Sequence, residues 1–506
     1  MTPFQTLADE ARLALANLGD AATSLAVPTL RIGVTGLARS GKTVFITALV
    51  HNLIHGGRLP LFSAASGGRI ARAYLQPQPD DAVPRFDYEA HVAALTGDRI
   101  WPHSTRQVSE LRLTIEFEST SYLSRKLGPG KLHLDIIDYP GEWLLDLPLL
   151  KKSYAEFSAE AIRLARSTNR SGLSAEWLAI AEGLDPQAPE SEMDAQRLSS
   201  AFKAYLAACR ADTHALSMLP PGRFLMPGDL DGSPALTFAP LDIPFDTSSG
   251  RPGTLQAMME RRFEAYKTHV IRPFFRDHFA RLDRQIVLVD ALHALNAGPT
   301  ALSDLQSALG EVLTAFRPGR RSWLSSIVTR RIDRILFAAT KADHLHRDDH
   351  DRLQKILKRL VAKGIERAEF SGAEVEVLAM AAVRATREAT VKQDGQELPA
   401  ILGTPLPGEM IDGRSFDGER EIAMFPGDLP EDPDSLFEKA DSDPEELPTA
   451  GDKADEDTGH EDTGAALRFL RFRPPRLDRT AEGMPLSLPH IRLDRALEFL
   501  IGDRLS

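Results

Sequence analysis

Residues 29–50 read TLRIGVTGLARSGKTVFITALV, and the fold follows from them. Leu30, Ile32 and Val34 alternate with smaller or charged residues, which predicts a strand, and Val44, Ala48 and Leu49 then recur at helical spacing. Between the two lies G-x-x-x-x-G-K-T, from Gly36 to Thr43. Gly36 and Gly41 allow backbone conformations that aim several N–H groups at one phosphate chain, and the following helix adds its positive end. Ala38, Arg39, Ser40 and Val44 complete that cradle. Lys42 would reach the β- and γ-phosphates as a flexible point charge, and the Thr43 hydroxyl would take one place around Mg²⁺. A plain glycine turn between strand and helix would not require Lys-Thr.

The chain has 506 residues, too many for one compact core, so two or three domains, or one domain with large insertions, are expected. It contains no run of about 18 apolar residues and no basic N-terminal region followed by an apolar one, so neither a membrane span nor a secretory signal is expected. Cys209 is the only cysteine, which excludes intramolecular disulfides, fits a reducing, cytoplasmic location and reads as packing rather than catalysis. The formal charge is −12, yet residues 428–462 hold 15 acidic residues and two lysines, a charge of −13 that leaves the remainder at +1. The body is therefore nearly neutral and lacks the basic signal of a nucleic-acid binder.

Two segments raise the question of a membrane surface. Phe4, Leu7, Ala8, Ala11, Leu15 and Leu18 predict a short amphipathic helix, and its Asp9 and Glu10 favour docking on the body over the lysine- and arginine-rich mode of membrane-surface helices. Arg317, Arg320, Arg321, Trp323, Arg330 and Arg331 surround an aromatic with basic charge. A solvated helix end explains them better than a peripheral contact with the inner membrane, which stays open as the weaker reading.

After the first helix, residues 59–108, broken by Pro77, Pro79 and Pro84, form a long excursion in the position of a switch loop. Within it Thr105 is the candidate for a switch threonine completing Mg²⁺ coordination. Leu111–Phe117 alternates strictly and Leu132–Asp138 follows, predicting two strands joined by a Gly-Pro-Gly turn at 128–130. The second strand ends in Asp138-Tyr-Pro-Gly141, a D-x-x-G placed where a carboxylate can assist Mg²⁺ and a glycine N–H can sense a γ-phosphate. An aspartate capping the next helix is the plainer alternative.

Helices are expected near 143–166, 173–183, 193–211 and 253–280, an insertion too long for one crossover. Gln285–Asp290 then reads as a buried strand, 300–316 as a helix and Arg334–Thr340 as another buried strand. That strand runs into Thr340-Lys341-Ala342-Asp343, T-K-x-D at a carboxyl end, where a carboxylate can accept from N1 and the exocyclic amine of guanine. Adenine offers neither donor in that arrangement. The Lys341 stem can lie over the base, Thr340 stands where the usual motif has asparagine, and the alternative is that Asp343 caps a helix. Val375–Ala382 supplies one more strand, after which a backbone amide of Ala382 or Val383 would meet the guanine oxygen. From 389 to 464 polarity, proline and charge rise together and predict a flexible segment, after which Leu467–Arg473 and a helix through Ile491, Arg495, Leu497 and Leu500 close the body.

The ordered set G-x-x-x-x-G-K-T, D-x-x-G, T-K-x-D and a final strand-end loop resembles the P-loop GTPases. With D-Y-P-G-E-W at 138–143, V-L-V-D at 287–290 and the long helical insertion, the chain is similar to the YcjX-like family of bacterial GTPases over most of its length. The resemblance implies an α/β fold, a P-loop NTPase (GTPase-like) sheet with a large helical insertion and an acidic flexible segment. The expected divisions are an N-terminal helix (1–28), a first core part (29–142), the insertion (143–283), a second core part (284–388), the acidic segment (389–464) and a closing strand and helix (465–506). The implied ligands are GTP or GDP and Mg²⁺, the implied setting a bacterial stress response.

Carried over by residue, Gly36, Gly41, Lys42 and Thr43 match the phosphate and Mg²⁺ elements, Asp138 and Gly141 the switch, and Lys341 and Asp343 the base site. Glu142 departs from the glutamine that many signalling GTPases place there, so hydrolysis is expected to be slow or assisted. Arg39 is either an in-cis charge on the phosphates or a solvent-facing loop residue. Lys42, Glu142 and Arg39 are thus the catalytic candidates. Three functions stay open: a GTP-hydrolysing switch whose insertion signals to an unknown protein effector, a nucleotide-gated scaffold with negligible turnover, and an ATPase or small-molecule kinase, which T-K-x-D disfavours.

Overall fold

A parallel sheet buried on both faces needs strands that are apolar on both sides. The computed structural model describes residues 27–37, 39–103, 107–120, 129–211, 214–230, 232–314, 332–393, 396–411, 413–437, 469–477 and 487–506. Ala38, Thr105, the helix expected at 3–18, the basic group at 317–331 and most of the acidic segment lie outside the described residues. The central sheet contains β1 (Thr29–Gly36), β2 (Ile70–Gln76), β3 (Ser109–Phe117), β4 (Gly130–Asp138), β5 (Arg284–Val289), β6 (Arg334–Ala339) and β7 (Glu374–Ala379), in the spatial order β2-β3-β4-β1-β5-β6-β7. β3 runs antiparallel to both neighbours, and every other adjacent pair is parallel.

The main helices are α1 (Lys42–Ile54), α2 (Tyr154–Ala165), α3 (Ser171–Glu182), α4 (Glu192–Arg210), α5 (Leu255–Tyr266), α6 (Pro299–Thr314), α7 (His350–Leu360) and α8 (Leu493–Ile501). Strand periodicity sorts the core into two layers. Leu30, Ile32 and Val34 of β1 with Ile286 and Leu288 of β5 face α1 and α8, whereas Val287 and Val289 with Ile335 and Phe337 of β6 face α6 and α7. The buried Arg284 guanidinium donates to Asp503 at 2.5 and 2.6 Å, which fastens β5 to the chain's end.

Between β4 and β5 the chain runs through α2 to α5, and their aromatic core is continuous with Ile137 and Tyr139 of the sheet side and with Ala308 and Val312 of α6. Arg170, only 1% exposed, pairs with Asp304 of α6, whose second oxygen accepts from the Ser217 and Met218 N–H groups at 2.6 and 2.9 Å. The insertion is therefore packed onto the sheet layer.

Several local expectations change. The helix predicted over 143–166 is a 3₁₀ helix, Gly141–Lys151, with Pro148 inside it, followed by α2, which starts at a capping box formed by Ser153 and Glu156. The one predicted over 253–280 breaks at a π turn, Lys267–Ile271, ahead of Pro273, whose ring cannot follow an undisturbed α-helical turn. β3 and β4 pair Phe117 with Gly130, so their connection is longer than a Gly-Pro-Gly turn. The 59–108 excursion contributes the edge strand β2.

The segment 389–464 is corrected in its first part. β8 (Arg387–Gln393), β9 (Gln396–Gly403) and a third strand form an antiparallel sheet, with a small hairpin of β10 (Met410–Ile411) and β11 (Arg414–Ser415) before that third strand, β12 (Ile422–Met424). One face of this module packs Ile401 against Leu470 and Phe472, and its exposed polar residues mask the strand signal. The strand expected after 465 is reduced, among the described residues, to a bridge between Pro405 and Phe472.

Candidate nucleotide-binding site

The loop from Gly36 to Thr43 is built by two left-handed residues, Arg39 (φ 64°) and Gly41 (φ 82°), the second of which opens α1. Gly36 admits no side chain: a Cβ there would stand 2.2 Å from Ser40 Oγ and 2.4 Å from the Leu288 carbonyl. Lys42 Nζ folds back to donate to the Gly36 carbonyl at 2.8 Å, and Thr43 is buried at the helix start. Among the described residues the buried Ser40 hydroxyl has no hydrogen-bond partner. A close-packed loop with a curled lysine and an unsatisfied buried hydroxyl fits a phosphate chain with its Mg²⁺.

Asp138 ends β4 fully buried, in register with Val34 of β1. Gly141 then lies directly against the loop, since a Cβ at 141 would come 2.3 Å from the Gly36 carbonyl. The D-x-x-G turn and the phosphate loop are thus in backbone contact.

On the other side, Thr340 N–H donates to the Val289 carbonyl at 2.9 Å. Lys341 takes a left-handed conformation (φ 61°), and its ammonium pairs with Asp290. Burial pushes the Asp290 carboxyl up, but the Lys341 ammonium outweighs it and the group ends below the ordinary carboxylate range. Asp343 is buried and accepts from the Ala385 N–H at 2.7 Å, so it braces the loop after β7. It caps no regular α-helix: only a single 3₁₀ turn, Ala342–His344, follows Lys341.

These two halves share a cavity of about 300 Å³. Its walls include Arg39, Ser40, Gly41, Lys42, Thr43 and Val44 from the loop and Thr340, Lys341, Asp343, Ala382 and Val383 from the strand ends. Gly36, Asp138, Gly141 and Glu142 do not line it, and the Glu142 carboxylate meets Arg210, the last residue of α4, at 3.0 Å. The site lies where the topology requires, at the carboxyl ends of the parallel strands.

The family model of the YcjX-like family, DUF463, matches residues 30–505. The chain belongs to the YcjX-like family. It is 38% identical over 489 residues to the Ras-like GTPase YcjX of Escherichia coli (strain K12), covering 94% of this chain and 96% of that one. It is 32% identical over 501 residues to the Ras-like GTPase YcjX of Shewanella oneidensis, covering 94% of each.

In this YcjX-like chain the structure adds residues to which the sequence assigned no part in the site. Asp290, the last residue of V-L-V-D, holds Lys341. Trp101, Leu406, Arg471 and Phe472 complete the cavity from three distant segments. Burial, then the charges of Arg471 and Arg210, push Arg39 below its usual range, and Arg39 and Arg471 both line the cavity. The insertion grips the D-x-x-G turn as well: a Cβ on Gly222 would stand 1.9 Å from the Glu142 carbonyl, and Asp146 accepts from Gly222 N–H at 2.7 Å and Tyr266 OH at 2.6 Å. Burial raises the Asp146 carboxyl to about 6. Cys209 is buried, as expected of a packing residue. Among the described residues no helix is long and apolar enough to cross a membrane.

Proposed function

We propose that the protein is a guanine-nucleotide-binding switch that hydrolyses GTP to GDP and phosphate with Mg²⁺. The observation that carries this reading is the single cavity in which Gly41–Thr43 and Asp343 share walls. Relatives named as Ras-like GTPases over nearly the full length agree with it. Loop N–H groups and Lys42 would hold the β- and γ-phosphates, and Asp343 would select guanine through its two donors. Thr43 and Asp138 would hold Mg²⁺, which when bound supplies charge neutralisation on the phosphates. Arg39 adds a cation to the same place. Gly141, in contact with the phosphate loop, reads the γ-phosphate through its N–H, and the insertion docked on residues 141–146 carries that change to a protein effector. Attack by water in line with the leaving phosphate needs position and neutral surroundings more than covalent help.

A second reading, a nucleotide-gated scaffold with negligible turnover, is favoured by one contact, since the Glu142 carboxylate is occupied by Arg210 and does not line the cavity. Binding of fluorescent GDP, GTP and ATP with Mg²⁺ tests the common part. Preferential binding of guanine nucleotides is expected, with Lys42→Ala abolishing binding and Asp343→Asn weakening the guanine preference; equal binding of ATP would return Asp343 to a structural role. Single-turnover hydrolysis separates the two readings, because a rate equal to that in solution leaves only the scaffold.

A further inference from the structure

The wall of the cavity that the motifs leave unexplained is made by the chain as it returns after the acidic segment. Arg471 and Phe472 line it. Their backbone is tied down from two sides: Leu406 N–H donates to the Arg471 carbonyl at 2.7 Å, and Trp101 Nε1 donates to the Phe472 carbonyl at 2.6 Å. One residue on, Arg473 N–H donates to the Thr404 carbonyl at 2.8 Å, and Arg99 Nε reaches the Pro474 carbonyl at 3.0 Å. Phe472 itself is buried, edge-on to His344, the residue after Asp343, at 5.4 Å between ring centroids. The Arg471 guanidinium is oriented by Glu409, its Nε at 2.6 Å from the carboxylate, and it remains 60% exposed on the cavity side of the module. A cation fixed at its backbone, its head held by a carboxylate and open to the pocket, is placed to exchange that carboxylate for a phosphate.

Resting on the proposed guanine-nucleotide reading, we propose that Arg471 is a further nucleotide-binding residue. Its guanidinium serves the phosphate chain from the side opposite Lys42, and the Leu470–Arg473 segment, braced by Trp101 and Leu406, retains the bound nucleotide. Its electrostatic action on Arg39 within the phosphate loop agrees with that placement. The consequence is that nucleotide release is linked to the segment through which the acidic stretch rejoins the body. No phosphate motif contains this residue, because its partners lie about 60 to 430 positions away along the chain.

The test uses the full chain and stopped-flow release of fluorescent GDP and GTP, with guanosine affinity measured by competition. Arg471→Ala should speed release of both nucleotides about 10- to 100-fold, the scale of one lost charge-assisted hydrogen bond, while guanosine affinity stays within about 2-fold. Arg471→Lys should restore part of the loss, and Trp101→Phe, which removes the indole donor and keeps the ring, should speed release by a smaller factor. Because Arg471 is exposed, its removal should leave the unfolding midpoint in place. Release from Arg471→Ala within about 2-fold of wild type, with unchanged dependence on salt, would overturn the proposal while leaving guanine binding intact. Equal loss of guanosine affinity would overturn it too, by making the residue structural. Failure of the wild type to bind guanine nucleotides at all would remove the functional reading together with it.

Discussion

Replacing Arg210 by alanine should loosen the turn at Gly141–Glu142 from α4. Glu142 and Arg210 meet at 3.0 Å, with the glutamate side chain only 5% exposed and the arginine 25%. Two unit charges with centres about 4 Å apart attract by ~4 kcal/mol at an effective dielectric near 20. Burial of the carboxylate opposes that attraction, so the net coupling should fall to ~1–3 kcal/mol. Arg210→Ala alone leaves a buried carboxylate uncompensated and should cost ~2–4 kcal/mol, whereas adding Glu142→Gln removes the orphaned charge and returns part of the loss. Denaturant unfolding of the wild type, both single variants and the double variant closes the cycle, with Trp143 and Trp177, both buried in the insertion's core, as fluorescent reporters. If the two substitutions add to within ~0.5 kcal/mol, the ion pair does not couple the turn to α4 and the reasoning fails. If the protein hydrolyses GTP as proposed, the same variants should alter turnover with little change in GDP affinity, since neither residue lines the cavity.

Gly141→Ala should lower guanine-nucleotide affinity at least about tenfold, because the added methyl meets the Gly36 carbonyl at 2.3 Å and neither backbone can yield cheaply; an unchanged titration would show that the turn moves freely. Glu110→Gln should make stability less dependent on pH. Burial, with Asp135 nearby, raises the Glu110 carboxyl from 4.5 to about 7, so its protonated form stabilises the fold below pH 4.5 and that contribution disappears as pH rises through 7. The variant should gain up to ~3 kcal/mol over wild type at pH 8 and nothing at pH 4.5, as unfolding at the two pH values will show. Asp304→Ala strands the buried Arg170 guanidinium and two backbone donors, and should destabilise by ~3–5 kcal/mol in chemical denaturation; a change under 1 kcal/mol would mean the insertion is not fastened there.

What the sequence disclosed was local. The phosphate loop, D-x-x-G and T-K-x-D each combine a strand's period with an adjacent turn, so Gly36, Asp138 and Asp343 were legible from neighbours within a dozen positions. The start of α2 could have been read as well, since Ser153-x-x-Glu156 is a capping box and Pro148 argues against a helix running through it. Arg210 and Arg471 carry no such signal: their partners Glu142 and Glu409 are fixed by tertiary packing, across 68 and 62 positions. The module at 387–424 was hidden for a different reason. Its strands cover a small core, Ile401 with Leu470 and Phe472, β8 is mainly polar and Pro399 stands inside β9, so the stretch resembles a linker.

Arg39 comes from the phosphate loop, Arg210 from the insertion and Arg471 from the returning chain, and each of the last two already has a carboxylate, Glu142 and Glu409 respectively. With a nucleotide bound as proposed, a polyanion beside Arg39 would relieve the repulsion that Arg471 and Arg210 exert on it and would compete with Glu409 for Arg471. Under the proposed reading, a nucleotide can shift the insertion or the β-module only by the difference between what its phosphates and those glutamates offer each guanidinium. A triphosphate offers more charge than a diphosphate at the end nearest Gly141, where the backbone contact with Gly36 passes any displacement to residues 141–146. Under that reading Glu142, which faces Arg210 and does not line the cavity, would restrain the insertion rather than orient water.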